Sequence, residues 1–149
     1  MPRYEPKNPD YLDIATATFE GQQAMRNLGI SIARIEPGEV ELSMPYSAAW
    51  TQQNGFVHAG IITAALDTAC GIAAFTLMPA GCDVLTVEFK TNLLAPARGE
   101  RFVFRAAVIK PGRTLTVCEG QAFAHRDGAE NLIATMTGTL MALPRKAGD

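Results

Sequence analysis

Residues 52–71 read QQNGFVHAGIITAALDTACG, and the reading of this stretch decides the fold. With its continuation to Leu77 it is the longest apolar run in the chain, rich in Ala and Gly and closed by Pro79 and Gly81. The spacing predicts a helix over 58–77. Apolar residues occupy every side of it, so this helix is expected to be buried all round rather than to lie on a surface. About 20 apolar residues would also cross a bilayer. Asp67 at the centre argues against a span, since a carboxylate there costs ~2.5–3.5 kcal/mol on insertion scales, and no second such run exists.

Whatever covers this helix must come from its flanks. After Asp83 the periodicity changes to two: Leu85, Val87, Phe89 and Leu93 alternate with Thr86, Glu88, Lys90 and Asn92, and Phe102, Phe104, Ala106 and Val108 alternate with Arg101, Val103 and Arg105. Thr114–Ala124 and Leu132–Met141 read as two more strands. Pro96-Ala97-Arg98-Gly99, Lys110-Pro111-Gly112-Arg113 and Arg126-Asp127-Gly128 separate them with turn chemistry. Upstream, residues 1–10 read as a flexible polar lead-in. Leu12, Ile14, Phe19, Met25 and Leu28 mark an amphipathic helix that ends by Asn27, weakened at Gly21. Ile30–Ile35 and Val40–Met44 flank Glu36-Pro37-Gly38-Glu39 as a hairpin. The order predicts one α+β domain over 1–149, an antiparallel sheet wrapped around a long central helix.

Composition bounds the function. At 149 residues the chain holds a core without staples. A formal charge of -2 gives no phosphate-backbone partner a foothold, so neither nucleic acid nor membrane is expected. Three cysteines, Cys70, Cys82 and Cys118, have no metal-ligand spacing and fit free thiols in a reducing cytoplasm. No metal site is expected. Ser31, Ser43 and Ser47 stand in no G-x-S-x-G elbow.

Asp67 is the only charged residue from Leu42 to Cys82, and no Lys or Arg occurs between Ile35 and Phe89. A buried carboxylate without a partner is disfavoured by several kcal/mol. It is therefore held by backbone N–H groups, Thr63, Thr68 or a distant Arg, or it faces a wet interface or cleft, or its surroundings raise its basicity for catalysis. The small residues Gly55, Ala59 and Gly60 at the helix start point to the last, because unpaired N–H groups there can polarise a carbonyl. Ala59 and Asp67 are separated by about 12 Å along the helix axis. One chain cannot bring both to one carbonyl. If both serve one site, a second subunit supplies the other half, and a two-fold dimer makes two such sites.

Gln52, Gly55, His58, Ala59, Gly60 and Asp67, in this order and spacing, resemble the motif of the hotdog-fold acyl-CoA thioesterases of the phenylacetate-pathway type: an Asn or Gln, then G-x-x-H-G-G, then an acid nine residues after the His. TVEFKTNLLAPARGE and KPGRTLTV resemble that family's third strand with its Pro-containing turn and its Gly-Arg turn before the fifth strand. The resemblance covers about Ile30 to Ala142. It implies a hotdog fold and hydrolysis of a small or aromatic acyl-CoA by a dimer or dimer of dimers, with no cofactor beyond the CoA of the substrate. Asp67 takes the place of the general base or nucleophile. Ala59, where the family has Gly, supplies the carbonyl-polarising N–H. Gln52 orients water or thioester, and Thr86 matches a hydroxyl that positions water; the alternation sets Thr86 on the polar face with Glu88 and Lys90. Asn54, Gly55, His58 and Gly60 belong to the substrate-binding turn, His58 in a structural role. Arg113 is the candidate for the CoA phosphates. Two other readings stay open on the same fold: a module that binds acyl-CoA without turnover, and an acyl-CoA hydratase, which would need an acid and a His acting together.

Overall fold

In the computed structural model, which describes residues 4–146 and 148, two short helices, α1 (Tyr11–Glu20) and α2 (Gln23–Asn27), precede a six-stranded antiparallel sheet. Its strands are β1 (Ser31–Glu36), β2 (Glu39–Pro45), β3 (Cys82–Leu93), β4 (Arg101–Lys110), β5 (Leu115–Arg126) and β6 (Ala129–Pro144), in the spatial order β1-β2-β4-β5-β6-β3. Pro37-Gly38 closes the first hairpin with Glu36 opposite Glu39, and Gly38 takes the positive φ of 79° that the turn demands. The central helix, α3 (Ala59–Phe75), lies along one face of the sheet, as the hotdog resemblance implies.

Alternate residues of the strands meet that helix. Val40, Leu42 and Met44 of β2, Phe102, Phe104, Ala106 and Val108 of β4, Cys118, Ala122 and Ala124 of β5, and Met136 and Leu140 of β6 form one core with Ile62, Leu66, Ala69, Cys70 and Ala73 of α3. Gly120 of β5 sets the closest approach. A Cβ there would stand 3.2 Å from both Cys70 Sγ and Leu66 Cδ2. Buried Thr76 fixes the far end of the helix: its hydroxyl donates to Ala73 O at 2.7 Å and accepts from Gly38 N at 2.8 Å.

The structure corrects several expectations. The single helix expected to Asn27 is two, because the chain turns at Gly21 and Gln22 is extended. The lead-in expected to be flexible over 1–10 falls in part on residues 1–3, outside the described residues. From Tyr4 onward it is laid on the domain: the Tyr4 hydroxyl donates to Ile109 O at 3.1 Å, its ring covers Gly38, and Asn8 is buried. α3 is buried all round only in its last four residues, Ile72–Phe75. Before them Gly60, Ala64, Asp67 and Gly71 form a stripe that the sheet leaves partly or fully open. Even alternation fails in β3, where Thr86 pairs with Leu140 but Glu88 with Thr139. Val87 is an extra, bulged residue. The bulge turns Thr86 to the helix face of the sheet, away from the outer face that carries Glu88, Lys90 and Asn92.

Candidate active site

The loop before α3 is built to present donors. Thr51 bridges to Val57, Gln52 N donates to Phe56 O at 2.8 Å, and Gly55 turns the chain at φ 81°. His58 is the N-cap: its Nδ1 accepts from Gly60 N at 2.9 Å, which requires that the ring proton sit on Nε2. His58 O takes the N–H groups of Ile61 and Ile62. Of the first four N–H groups of α3, that of Ala59 alone has no acceptor among the described residues. The helix dipole adds its positive end at the same place. Gln52 supplies a second donor. Its Oε1 is held by Asn54 N, so its amide NH2 is left without a partner among the described residues.

These donors share one cleft of about 410 Å³, lined by Gln52, Phe56, Ala59, Ile62, Leu94 and Ile133 with their neighbours. It lies at the end of β3 that carries Leu93. The sequence reading did not identify the apolar wall; two consecutive leucines, Leu93-Leu94, which break the strand alternation just before Pro96, are the signal that could have.

Asp67 is elsewhere. It projects from the open stripe of α3 to Thr86, whose Oγ1 donates to Asp67 Oδ1 at 2.7 Å. Oδ2 has no partner among the described residues. The Val87 bulge makes this contact possible, because without it Thr86 would face the other side of the sheet. Next along the helix, Thr68 donates to Gln22 Oε1 at 3.2 Å, so Gln22 rather than Asp67 is its partner.

The structure thus brings Gln52, Asn54, Gly55, His58, Ala59 and Gly60 together and, separately, Asp67 with Thr86. Six residues of β3 lie between Thr86 and Leu93, one of them the bulged Val87, which sets the two roughly 20 Å apart along the strand. Arg113 joins neither group within the chain. It is exposed in the turn before β5, at the end of the sheet where Leu115, Met141 and Leu85 lie in one row. The thiols offer no rival nucleophile: burial pushes Cys118 up to about 12 and Cys70 higher still, and Cys82 is buried as well. No cluster of His, Cys, Asp and Glu suited to a metal occurs among the described residues.

A sheet wrapped on one long helix, with N–H donors at the helix start and an acid on its open face, defines a hotdog thioesterase. The profile of the Thioesterase superfamily matches residues 54–130, about half of the chain, and the protein belongs to that superfamily of hydrolases. A solved thioesterase family protein from Silicibacter pomeroyi is 58% identical, with a TM-score of 0.90 over 91% of this chain and 99% of that one. The thioesterase SAV0944 of Staphylococcus aureus is 27% identical, with a TM-score of 0.76 over 83% of this chain and 100% of its own. It has been solved with a glutamine changed to alanine and, separately, with a glutamate changed to alanine fifteen residues further on. The E. coli PaaI protein of the phenylacetic acid degradation operon shares the fold, with a TM-score of 0.79 at 18% identity over 90% and 94% of the two chains.

Proposed function

We propose that the protein hydrolyses the thioester of a small or aromatic acyl-CoA to the free acid and CoA, as a cytoplasmic homodimer whose two sites are each shared between subunits. The observation that carries this reading is the division of the site. The donors Ala59 N–H and Gln52 Nε2 lie at one end of β3, the Asp67–Thr86 pair lies at the other, and β3 is an edge strand with Leu85, Val87, Phe89 and Leu93 exposed along it. The free edge of this twelve-residue strand exposes apolar side chains on both faces, Phe89 and Leu93 on the helix side and Leu85 outward, and is a template for a second strand. Antiparallel pairing of two copies about a dyad at Lys90, with Val87 bulged out of the ladder, sets Thr86 of one opposite Leu93 of the other. Each Asp67 then faces its partner's cleft. The small residues Gly60, Ala64 and Gly71 beside Asp67 leave room for that approach.

In this arrangement the thioester oxygen lies against Ala59 N–H, within reach of the Gln52 amide. Asp67, held by Thr86, takes a proton from water as the hydroxide adds to the carbonyl carbon, or adds to that carbon itself. The C–S bond breaks, and the thiolate leaves and takes up a proton; where Asp67 has added to the carbon, water then cleaves the resulting acyl–Asp67 anhydride, freeing the acid and restoring the carboxylate. Fifteen residues separate Gln52 from Asp67, the spacing of the two positions altered in the Staphylococcus aureus thioesterase, which supports pairing them in one mechanism. His58 is engaged as the helix cap and is unsuited to partner an acid in a hydratase.

Thiol release from a panel of acyl-CoAs tests the reading. The native protein is expected to turn over small or aromatic acyl groups, and Asp67→Asn to lose about 10²–10⁴ in kcat. Full activity in Asp67→Asn removes the assigned acid; no release from any acyl-CoA by the native protein favours a binding module.

A further inference from the structure

Next to the donor cleft is a second depression, of about 260 Å³, lined by Tyr46, Gly55, Arg98, Gly99, Glu100 and Arg126. Its walls are fixed by backbone. Tyr46 N donates to Glu100 O at 3.0 Å, and Glu100 N donates to His125 O at 2.9 Å. A Cβ on Gly99 would stand 2.7 Å from His125 O, so only glycine lets the Pro96–Glu100 turn sit on the end of β5. That contact sets Arg98 beside Arg126.

The two arginines are available. The Arg98 guanidinium has no acceptor among the described residues, and Arg126 has only a 3.4 Å contact with Asp127, which is 82% exposed. Glu100 supplies the one opposing charge in the lining, so the depression is net basic.

The depression and the cleft share a rim. Val57 N donates to Ala97 O at 3.0 Å, tying the loop of residues 52–57 to the loop of residues 95–100. Gln52, Phe56, Ala95 and Pro96 face the cleft, whereas Gly55 and Arg98 face the basic pocket. At the crossing, Gly55 has nothing within 4 Å of where a Cβ would be. The rim carries no side chain at that point.

We propose that Arg98 and Arg126 hold phosphate groups of the CoA nucleotide while the pantetheine arm runs over Gly55 to a thioester at Ala59. The inference rests on the thioesterase reading above and adds the subsite that fixes the CoA end. Guanidinium forks match phosphate oxygens in pairs, and the length of the pantetheine arm requires a phosphate site displaced along the surface from the carbonyl. Arg113 does not line this depression and within its own chain lies at the other end of the sheet, the end that carries Thr86.

The test compares acyl-CoA with the same acyl group on pantetheine, which lacks the nucleotide phosphates, and measures binding of free CoA and of adenosine 3′,5′-bisphosphate by calorimetry. Arg98→Ala and Arg126→Ala are each expected to raise KM for acyl-CoA and Kd for CoA about tenfold. They leave kcat, and all hydrolysis of the pantetheine thioester, unchanged. Arg98→Lys and Arg126→Lys restore part of the loss. The subsite is refuted by a double variant with native KM and native CoA affinity, by an equal loss on the pantetheine thioester, or by an effect confined to Arg113→Ala. If the native protein releases no thiol from any substrate, the thioesterase reading fails, and the CoA titration still decides the subsite.

Discussion

The sheet has two edges, and they are made differently. β1 is six residues long, carries Arg34 and Glu36 with Glu39 close by in ion pairs of 3.0 and 3.4 Å, and ends the sheet. β3 is twice as long, bulged at Val87, and leaves Leu85, Val87, Phe89 and Leu93 exposed at 44–58%. Charge on an edge deters further pairing, and a long apolar edge invites it. β3 is also the strand that carries one part of the site at each end. The difference favours a sheet that stops at β1 and is open to extension at β3, the extension on which the proposed shared site rests.

The largest expected effect comes from giving β3 the character of β1. Phe89→Lys should yield a folded monomer by sedimentation, with thiol release at background, whereas Ala33→Lys on β1 should keep native mass and activity. Equal tolerance at both edges would erase the contrast. Gln52→Ala removes one donor at the cleft end and should lower kcat by about 10²-fold with little change in melting, the usual cost of losing one oxyanion donor; a change confined to KM would limit Gln52 to binding. At the other end, Thr86→Val removes the 2.7 Å hydrogen bond to Asp67. It should slow turnover roughly tenfold and cost about 1 kcal/mol of stability, read from steady-state rates and denaturant titration.

The smallest effect lies away from both ends. On the outer face Arg105 bonds Glu130 at 2.7 Å and Glu41 at 2.8 Å and stacks on Phe123 at 4.6 Å. The Arg105 hydrogen bond holds the Glu130 carboxyl below the usual carboxylate range. A depressed folded value means that this contribution is present above the ordinary carboxylate pKa and is lost as pH falls through the lowered one. The groups are partly exposed, so the effect is small and screened by salt. Melting temperatures measured from neutral to acid pH should fall less steeply for Arg105→Met than for the native protein; parallel curves would remove the cluster from the acid response.

Much of this was legible in the sequence. The order of elements along the chain, the Pro37-Gly38 hairpin and the long helix follow from periodicity and turn chemistry, and the helical distance from Ala59 to Asp67 already set the two candidate groups apart. What was not legible depends on tertiary context. Val87 is apolar and continues the alternation, so its role as an extra residue shows only when β3 is paired with β6, and with it the face on which Thr86 lies. The stripe through Gly60, Ala64, Asp67 and Gly71 is as apolar as a core stripe apart from the acid, so its residue types do not mark it as open. Arg98 and Arg126 are twenty-eight residues apart in turns that read as solvent-exposed; Gly99 against His125 O is what joins them.

The shared site has one direct test. Asp67→Asn dimers and Gln52→Ala dimers, each nearly inactive alone, are mixed, unfolded or dissociated, and allowed to reassociate. Random exchange makes half of the dimers mixed, and each mixed dimer has one intact site, so thiol release should recover to about a quarter of the native rate. Recovery of that size supports a site built from two chains; verified exchange with no recovery would contradict it.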